Sequence, residues 1–489
     1  MVYNYPMKKY SIWLIILLAL VCRLYHIKFP VGGFQAWRQA DTAAVARNFS
    51  ENGFHFLTPQ IDWGGNTPGY IEMELPLYPF LASLCNAIFF PSDIWGRLLS
   101  VLFALVAIHT LYRLVKKTVG EEVAVWSALL LAILPVNMFY TRAFMPESFM
   151  LMSSLLGVYY FSEWMDSKNN NKTQHGWKYA LLSVTFISIA ALEKIVALYL
   201  GLPMLFLALQ RYKGKAFLQW QLWLYACIVV VLVVSWYYHA HELSKQSGLS
   251  FGIWDYGSGK WGNFQPLLTF KFYNDVFFKS IAERHMTYAA FIPFVIGLFI
   301  KRTSSAERLF DWWLIAVLVY FCIVTKGNQV HEYYQLPFTI PAVVFVGKMF
   351  HKYLNKANKP MFAFTMFCII AIPVLSFLRY SNYMEGEKTD SDLFKLGNTV
   401  QQLTQRNELV VTVDANDPIV LYRCDRKGWH ATPDDVNESF LQEKKQMGAK
   451  YLVGLMYYFD DEVKRDRINE YLQHANVVVR NDEYFVVRM

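Results

Sequence analysis

Charge is what this sequence has least of. Of its 489 residues, 17 % are Asp, Glu, Lys or Arg and 55 % are apolar, where a soluble domain carries roughly 25 % charge. A water-soluble body of that composition would expose more apolar surface than a monomer tolerates. The same richness in apolar residues excludes a disordered chain. Cysteine is also scarce, with six residues. Cys22, Cys85, Cys227, Cys322 and Cys368 sit in apolar runs, Cys424 is alone in the tail, and no pair has metal-ligand or redox spacing. A disulfide scaffold and a zinc module are therefore excluded. Internal repeats are missing, and low complexity is limited to the Asn169-Asn170-Asn171 turn. What abounds is aromatic: 38 Phe, 31 Tyr and 15 Trp. Such rings suit a bilayer interface. The composition fits a polytopic membrane protein that keeps some water-facing mass.

The formal charge of +8 hides a division. After Tyr380 there are 19 acidic and 14 basic residues, net −5, which leaves 19 and 32 before it, net +13. The basic residues cluster at the ends of apolar runs and not along one face, so nucleic acid is not the expected partner. The positive-inside rule accounts for the placement. Lys8 and Lys9 precede the first run, and no small-residue cleavage motif ends it, so residues 10–28 read as a retained anchor.

Runs of about 17–22 apolar residues can cross about 30 Å of hydrocarbon. They occur near residues 10–28, 96–115, 123–142, 147–165, 177–194, 195–211, 217–238, 287–301, 310–325, 333–351 and 361–379. About eleven alternating spans put every basic cluster on one side. These clusters are Arg113, Lys116 and Lys117; Lys168, Lys172 and Lys178; Arg211, Lys213 and Lys215; Lys301 and Arg302; and His351, Lys352, Lys356 and Lys359. Residues 75–91, LPLYPFLASLCNAIFFP, would break that pattern as a span. They read as a re-entrant or membrane-surface element, with Pro76 and Pro79 disfavouring a straight helix; a true span with an unrecognised partner is the alternative. Polar loops at 29–74 and 239–286 then face outward. The expected domains are a transmembrane domain over 1–380 and an extracytoplasmic α/β domain over 381–489. In the latter, LVVTVD, YLVGLM, VVVR and YFVVR alternate with helical stretches at 438–448 and 460–473.

Ionisable groups at membrane depth suggest function, and here they gather at the outer ends of the spans. Asp41 follows Trp37-Arg38-Gln39-Ala40 and opens an apolar-periodic stretch. It can act as an N-cap partnered by Arg38, or as a carboxylate placed to accept a proton. Glu72 and Glu74 share a face only in an extended chain. They are either a solvated pair or oxygen ligands for a divalent cation. Pro146 suits a first helical turn, so Glu147 can serve that helix's positive end. Glu193-Lys194 lies within about 35 largely apolar residues and reads as an anion site or as a structural ion pair. Glu283-Arg284-His285 ends the second loop, which also holds the Gly- and aromatic-rich FGIWDYGSGKWGNF. That stretch suits a loop that closes over a ligand or an interfacial belt. His331 heads HEYYQLP at another span and reads first as an interface histidine.

In this order, the motifs resemble the GT-C class of polyprenyl-phosphate-sugar glycosyltransferases. The similar branches are the protein O-mannosyltransferases and the lipid A aminoarabinose transferases. The residues that carry the likeness are WRQADTAAVARNF (37–49), EMELPLYP (72–79), RLLS (97–100), RAFMPES (142–148), LEKIVALYLGLP (192–203) and HEYYQLPFTIP (331–341). The resemblance implies a catalytic aspartate at Asp41. It implies a metal-binding acid at Glu74, with His285 as a looser metal candidate, and a second acidic residue at Glu147. Lys194 would lie near the lipid phosphate, and Tyr334 would be the tyrosine of a Tyr-x-Leu-Pro motif. Arg284 and Arg38 are further donor-phosphate candidates; Glu72 and His331 complete the set. The sequence departs from the family in carrying Gln-Ala-Asp where an acidic pair is common, and no glycine follows Lys194.

The expected chemistry is inverting transfer of a sugar from a polyprenyl phosphate to a glycan, lipid or protein acceptor. It would occur at the outer face of a bacterial inner membrane, with a divalent metal ion as the cofactor to test. A polymerase, ligase or transporter handling lipid-linked glycans is the alternative. A secondary transporter would show repeats and mid-span polar groups, whereas here the charges lie at span ends.

Overall fold

The computed structural model describes residues 11–167, 173–252, 262–355, 357–385, 392–415 and 417–489. Outside them fall Lys8 and Lys9, Lys168 to Lys172 with the Asn169-Asn170-Asn171 turn, residues 253–261 of the Gly- and aromatic-rich loop, and Lys356.

Every apolar run recognised in the sequence falls on helical structure. The first ten α-helices are α1 (Ser11–Leu24), α2 (Ala36–Asn52), α3 (Leu77–Ile88), α4 (Ile94–Thr118), α5 (Glu121–Ile133), α6 (Pro135–Tyr140), α7 (Glu147–Ser167), α8 (Thr173–Glu193), α9 (Gly201–Tyr212) and α10 (Trp220–Ser247). Helices Phe291–Leu298, Leu309–Ile323, Leu336–Tyr353 and Lys359–Glu385 follow. Two breaks have local causes or consequences. Leu134 is extended ahead of Pro135, which suits the first position of α6 because it has no N–H to satisfy. Lys194 is extended between α8 and the 3-10 turn Ile195–Leu200, so its side chain leaves the chain at a helix interruption.

Among the described residues, four helical segments can cross a membrane by length and composition: Ile94–Thr118, Ile195–Leu218, Trp220–Ser247 and Lys359–Glu385. Trp220, Val231 and Val234 on α10, and Phe367, Ile370 and Leu378 on Lys359–Glu385, point outward and are exposed. Such continuous apolar surfaces require a lipid solvent. By contrast, α3 has 12 residues. At 1.5 Å per residue it is about 18 Å long and cannot cross about 30 Å of hydrocarbon.

Two compact units emerge from the contacts. The first comprises residues 1–27, 97–238 and 252–382 and is helical. In it α7 packs along α8, and Leu336–Tyr353 packs on α5 and on Phe291–Leu298. A Cβ at Gly297 would lie 2.1 Å from the Phe345 carbonyl oxygen, so this helix crossing depends on glycine.

The second unit comprises residues 28–96, 239–251 and 383–489. Its sheet has the order β2-β1-β3-β5-β4, formed by β1 (Leu409–Val413), β2 (Gly428–Ala431), β3 (Ala449–Leu455), β4 (Asn476–Arg480) and β5 (Tyr484–Arg488). β1 runs parallel to β2 and β3, while β5 runs antiparallel to β3 and β4. Val411, Val413, Leu452, Phe485 and Val487 of the strands meet Leu441 and Ile468 of helices Glu438–Gln446 and Glu462–His474 in one core. β1 and β3 are apolar almost without alternation because the parallel strands are buried on both faces. A second core joins Val45 and Phe49 of α2 to Ile61, Ile71 and Met73 of the loop after it.

Candidate active site

The candidate residues assemble into two groups, one within each unit. In the second unit Asp41 lies in the first turns of α2 and is 4 % exposed. It does not cap the helix: Gln35 is the residue before α2, and no side chain caps that end. The Trp63 indole N–H donates to Asp41 Oδ1 at 3.0 Å. Burial pushes the Asp41 carboxyl up to about 7, against the Trp63 hydrogen bond and the Arg38 charge, while Asp417 and Asp62 add to the rise. Asp417 is itself lifted to about 6 by burial, opposed by the Ile419 backbone N–H. A carboxyl with a pKa near neutrality can both take and release a proton near neutral pH.

Arg38, one turn earlier on α2, forms an ion pair with Glu74 and lies over the Phe251 ring at 4.8 Å. Glu72 accepts from the Ser250 hydroxyl. Its backbone N–H donates to the Leu249 carbonyl at 3.1 Å, and its carbonyl accepts from Phe251 N at 2.9 Å. Glu72 forms a bridge with Ser250, and both carboxylates are buried together with Met73 between them. Neither is the solvated pair that a membrane border would allow: Glu72 is 0 % exposed and Glu74 7 %.

In the first unit the Lys194 ammonium lies 3.1 Å from Glu147 Oε1, at the first residue of α7. It also lies 5.5 Å from the Tyr333 ring centroid and 5.9 Å from that of Tyr334, within cation–π range. Both Glu147 oxygens are buried. His331 stacks on the same two rings, with centroids 5.3 and 5.9 Å away. Beyond Lys194 an apolar cavity of about 420 Å³ opens between Ile195–Leu202 and the helix Leu309–Ile323. Tyr320 lines it and donates its hydroxyl to the Tyr334 carbonyl at 3.0 Å. A cation one residue before an apolar cavity suits an anion that carries a hydrocarbon tail.

Glu332 ties the remaining candidates together. The Arg284 guanidinium donates to its Oε2 at 3.1 Å and Tyr140 to its Oε1 at 3.2 Å. His285 Nε2–H donates to its carbonyl at 3.1 Å. Burial, with repulsion from Arg284, lowers the His285 imidazole to about 4, so it is neutral at physiological pH. Glu332 stands beside His331 in the HEYYQLP motif, yet nothing in the local pattern marked it as the residue that three others converge on. Trp63 and Asp417 escaped notice for the same reason: their role comes from long-range contacts.

The expected metal ligands are otherwise engaged. Glu74 faces the Arg38 guanidinium, and His285 spends its Nε2 proton on a carbonyl. Among the described residues no group of three or more His, Cys, Asp or Glu is placed to hold a metal ion. Arg38 supplies the positive charge beside Glu74 in this arrangement.

The chain, a helical membrane body with a small mixed sheet, has the fold of the solved ArnT structures, the GT-C fold. Residues 73–239 match the model of the dolichyl-phosphate-mannose-protein mannosyltransferase family. The structure is similar to that of ArnT from Cupriavidus metallidurans bound to undecaprenyl phosphate: 14 % identity, TM-score 0.64, 97 % of each chain covered. It is also similar to the Archaeoglobus fulgidus oligosaccharyltransferase in complex with Zn and sulfate: 13 % identity, TM-score 0.61, 91 % of this chain and 68 % of that one. For the same archaeal enzyme, AglB, with an inhibitory peptide and a dolichol phosphate, the values are 12 %, 0.62, 92 % and 70 %. No curated protein sequence matches the chain.

Proposed function

We propose that this protein is an inverting glycosyltransferase that moves a hexosyl or pentosyl group from a polyprenyl-phosphate carrier to an acceptor on the outer face of the membrane. The observation that carries the proposal is Lys194: a cation beside Glu147 and two tyrosine rings, one residue before Ile195, which lines an apolar cavity of about 420 Å³. Support also comes from the mannosyltransferase family match over residues 73–239 and from folds whose solved forms hold undecaprenyl phosphate or dolichol phosphate.

In this reading the acceptor oxygen attacks the anomeric carbon from the face opposite the phosphate. The new C–O bond forms as the old one breaks, and the electron pair of the broken bond stays on the phosphate oxygen. Asp41 takes the acceptor's proton. Lys194 stabilises the leaving phosphate where little water competes. Arg284, held by Glu332, is the second cation available to the phosphate. An acceptor that is itself a phosphate needs no base, and Asp41 then only orients it. The acceptor is a cell-envelope glycan, a glycolipid or a protein.

The test is to incubate the purified protein with a panel of labelled polyprenyl-phosphate sugars and separate the lipid products. Release of free polyprenyl phosphate from at least one donor is expected. If no donor in the panel is bound or turned over, the proposal fails.

In this reading the tail and the loops at 29–74 and 239–286 lie on the extracytoplasmic side of a bacterial inner membrane, an orientation that the basic clusters support. A reporter that is active only in the cytoplasm, fused after Met489, should be silent. A strong signal would invert the topology and put Asp41 on the side away from a lipid-linked donor of the outer leaflet.

A further inference from the structure

The C-terminal sheet and the first outer loop belong to one unit, and the contacts between them converge on Asp41. Arg47, on α2, forms ion pairs with Asp62 of the loop and, at 2.7 Å, with Asp425 of the tail. It also donates to the Tyr422 carbonyl at 3.2 Å and lies over the Tyr422 ring at 4.6 Å. Asn48 holds the other Asp62 oxygen at 2.9 Å. Asp425 stands in the left-handed region at φ 52°, just after helix Ile419–Cys424, a conformation that surrounding contacts must hold in place.

The loop backbone is anchored to the head of β2. Gly428 N donates to the Asp62 carbonyl at 3.0 Å, and Gly65 N donates to the Gly428 carbonyl at 2.8 Å. Gly65 has φ +63°, and a Cβ there would lie 2.3 Å from the Trp429 ring, so the loop can approach the sheet this closely only with glycine. Trp63, between these anchors, has its ring at 76° to His430 of β2, with centroids 5.5 Å apart. Its N–H reaches Asp41 Oδ1 at 3.0 Å.

We propose that the C-terminal α/β domain works as part of the Asp41 site: Tyr422 and Asp425 fix Arg47, Arg47 fixes Asp62, and Asp62 with β2 fixes Trp63 on the Asp41 carboxylate. Trp63, Asp62 and Arg47 are positioning residues for that carboxylate. The proposal rests on the reading of Asp41 as the base, but it is tested without substrate.

The charged groups facing Asp41 are Arg38 on its own helix, Asp62 from the loop and Asp417 from the tail. Trp63 donates to the ionised form, so losing its N–H favours the protonated form. A hydrophobic carbodiimide labels protonated carboxyls, and mass spectrometry of the Asp41 peptide across pH reads the midpoint directly. In Trp63→Phe the midpoint is expected to rise by roughly one pH unit. Arg47→Lys keeps the charge beside Asp62 but loses the fork that spans Asp62 and Asp425. Its midpoint is expected to rise in the same direction by a smaller amount, in a protein that still melts cooperatively. A wild-type midpoint in a folded Trp63→Phe protein, or an Arg47→Lys protein that only loses thermal stability, would overturn the proposal. Failure of the donor panel alongside a shifted midpoint would instead refute the glycosyltransferase reading and leave the positioning intact.

Discussion

Asp41→Asn is expected to lose transfer rate by about 10²–10⁴ and at the same time to melt at a higher temperature above pH 7. The rate loss is the contribution of a positioned general base. Asparagine keeps an oxygen for the Trp63 N–H but has no basic carboxylate. The stability gain follows from the same burial. The wild-type carboxyl is raised to about 7 from 3.8, so the folded protein holds a proton that the unfolded chain has released. Stability is thus fully present below the unfolded value and falls as pH rises through that window. Asparagine does not titrate, so the gap is widest above pH 7, on the order of 2–4 kcal/mol. The wild-type rate should correspondingly climb through about pH 7. Near-normal turnover by the variant, or a flat rate profile, would remove Asp41 from the role of base.

Lys194→Met is expected to weaken polyprenyl-phosphate binding by roughly 1.5–3 kcal/mol, the scale of a charge-assisted hydrogen bond, or about 10- to 150-fold. The structure adds a complication. The partner of Lys194 is Glu147, a residue 1 % exposed, and removing one member of a buried pair typically costs about 3–5 kcal/mol of stability. The single variant is therefore expected to lose stability as well as binding. Lys194→Met with Glu147→Gln removes the stranded charge, so it should recover much of the stability and none of the binding. Lipid-phosphate binding measured directly on both proteins separates the two effects. A stable double variant that binds as tightly as wild type would make the pair purely structural and pass the phosphate to Arg284.

The parts of the fold that local pattern dictates were legible. Apolar runs became helices, and LVVTVD, YLVGLM, VVVR and YFVVR became β1, β3, β4 and β5. The tail's composition shift near 380 coincides with the segment of the second unit that begins at Tyr383. Strand β2 was missed because GWHA has neither the length nor the alternation that marks a strand. It is held in place by β1 on one side and by the Gly65 backbone. In the site, the residue types were readable and the partners were not. Lys194 sits next to Glu193 in sequence but pairs with Glu147, 47 positions earlier. Glu74 looked like a cation ligand, and Arg38, 36 positions away, is the cation it meets. Ion pairs across such distances follow from tertiary packing, which no window of neighbouring residues records.

The second unit is drawn from three separate stretches of chain, and that has a consequence for biosynthesis. When the ribosome has made residues 28–96, α2 and its loop exist but the edge of β2 that anchors Gly65, and the carboxylate of Asp425 that anchors Arg47, are more than 300 codons away. If Asp41 is the base proposed above, its site therefore matures last, after every helix of the first unit has been translated. On that reading, a chain stopped short of residue 428 would hold the proposed lipid-phosphate site without a finished Asp41 site, and would be better equipped to occupy a lipid carrier than to consume it.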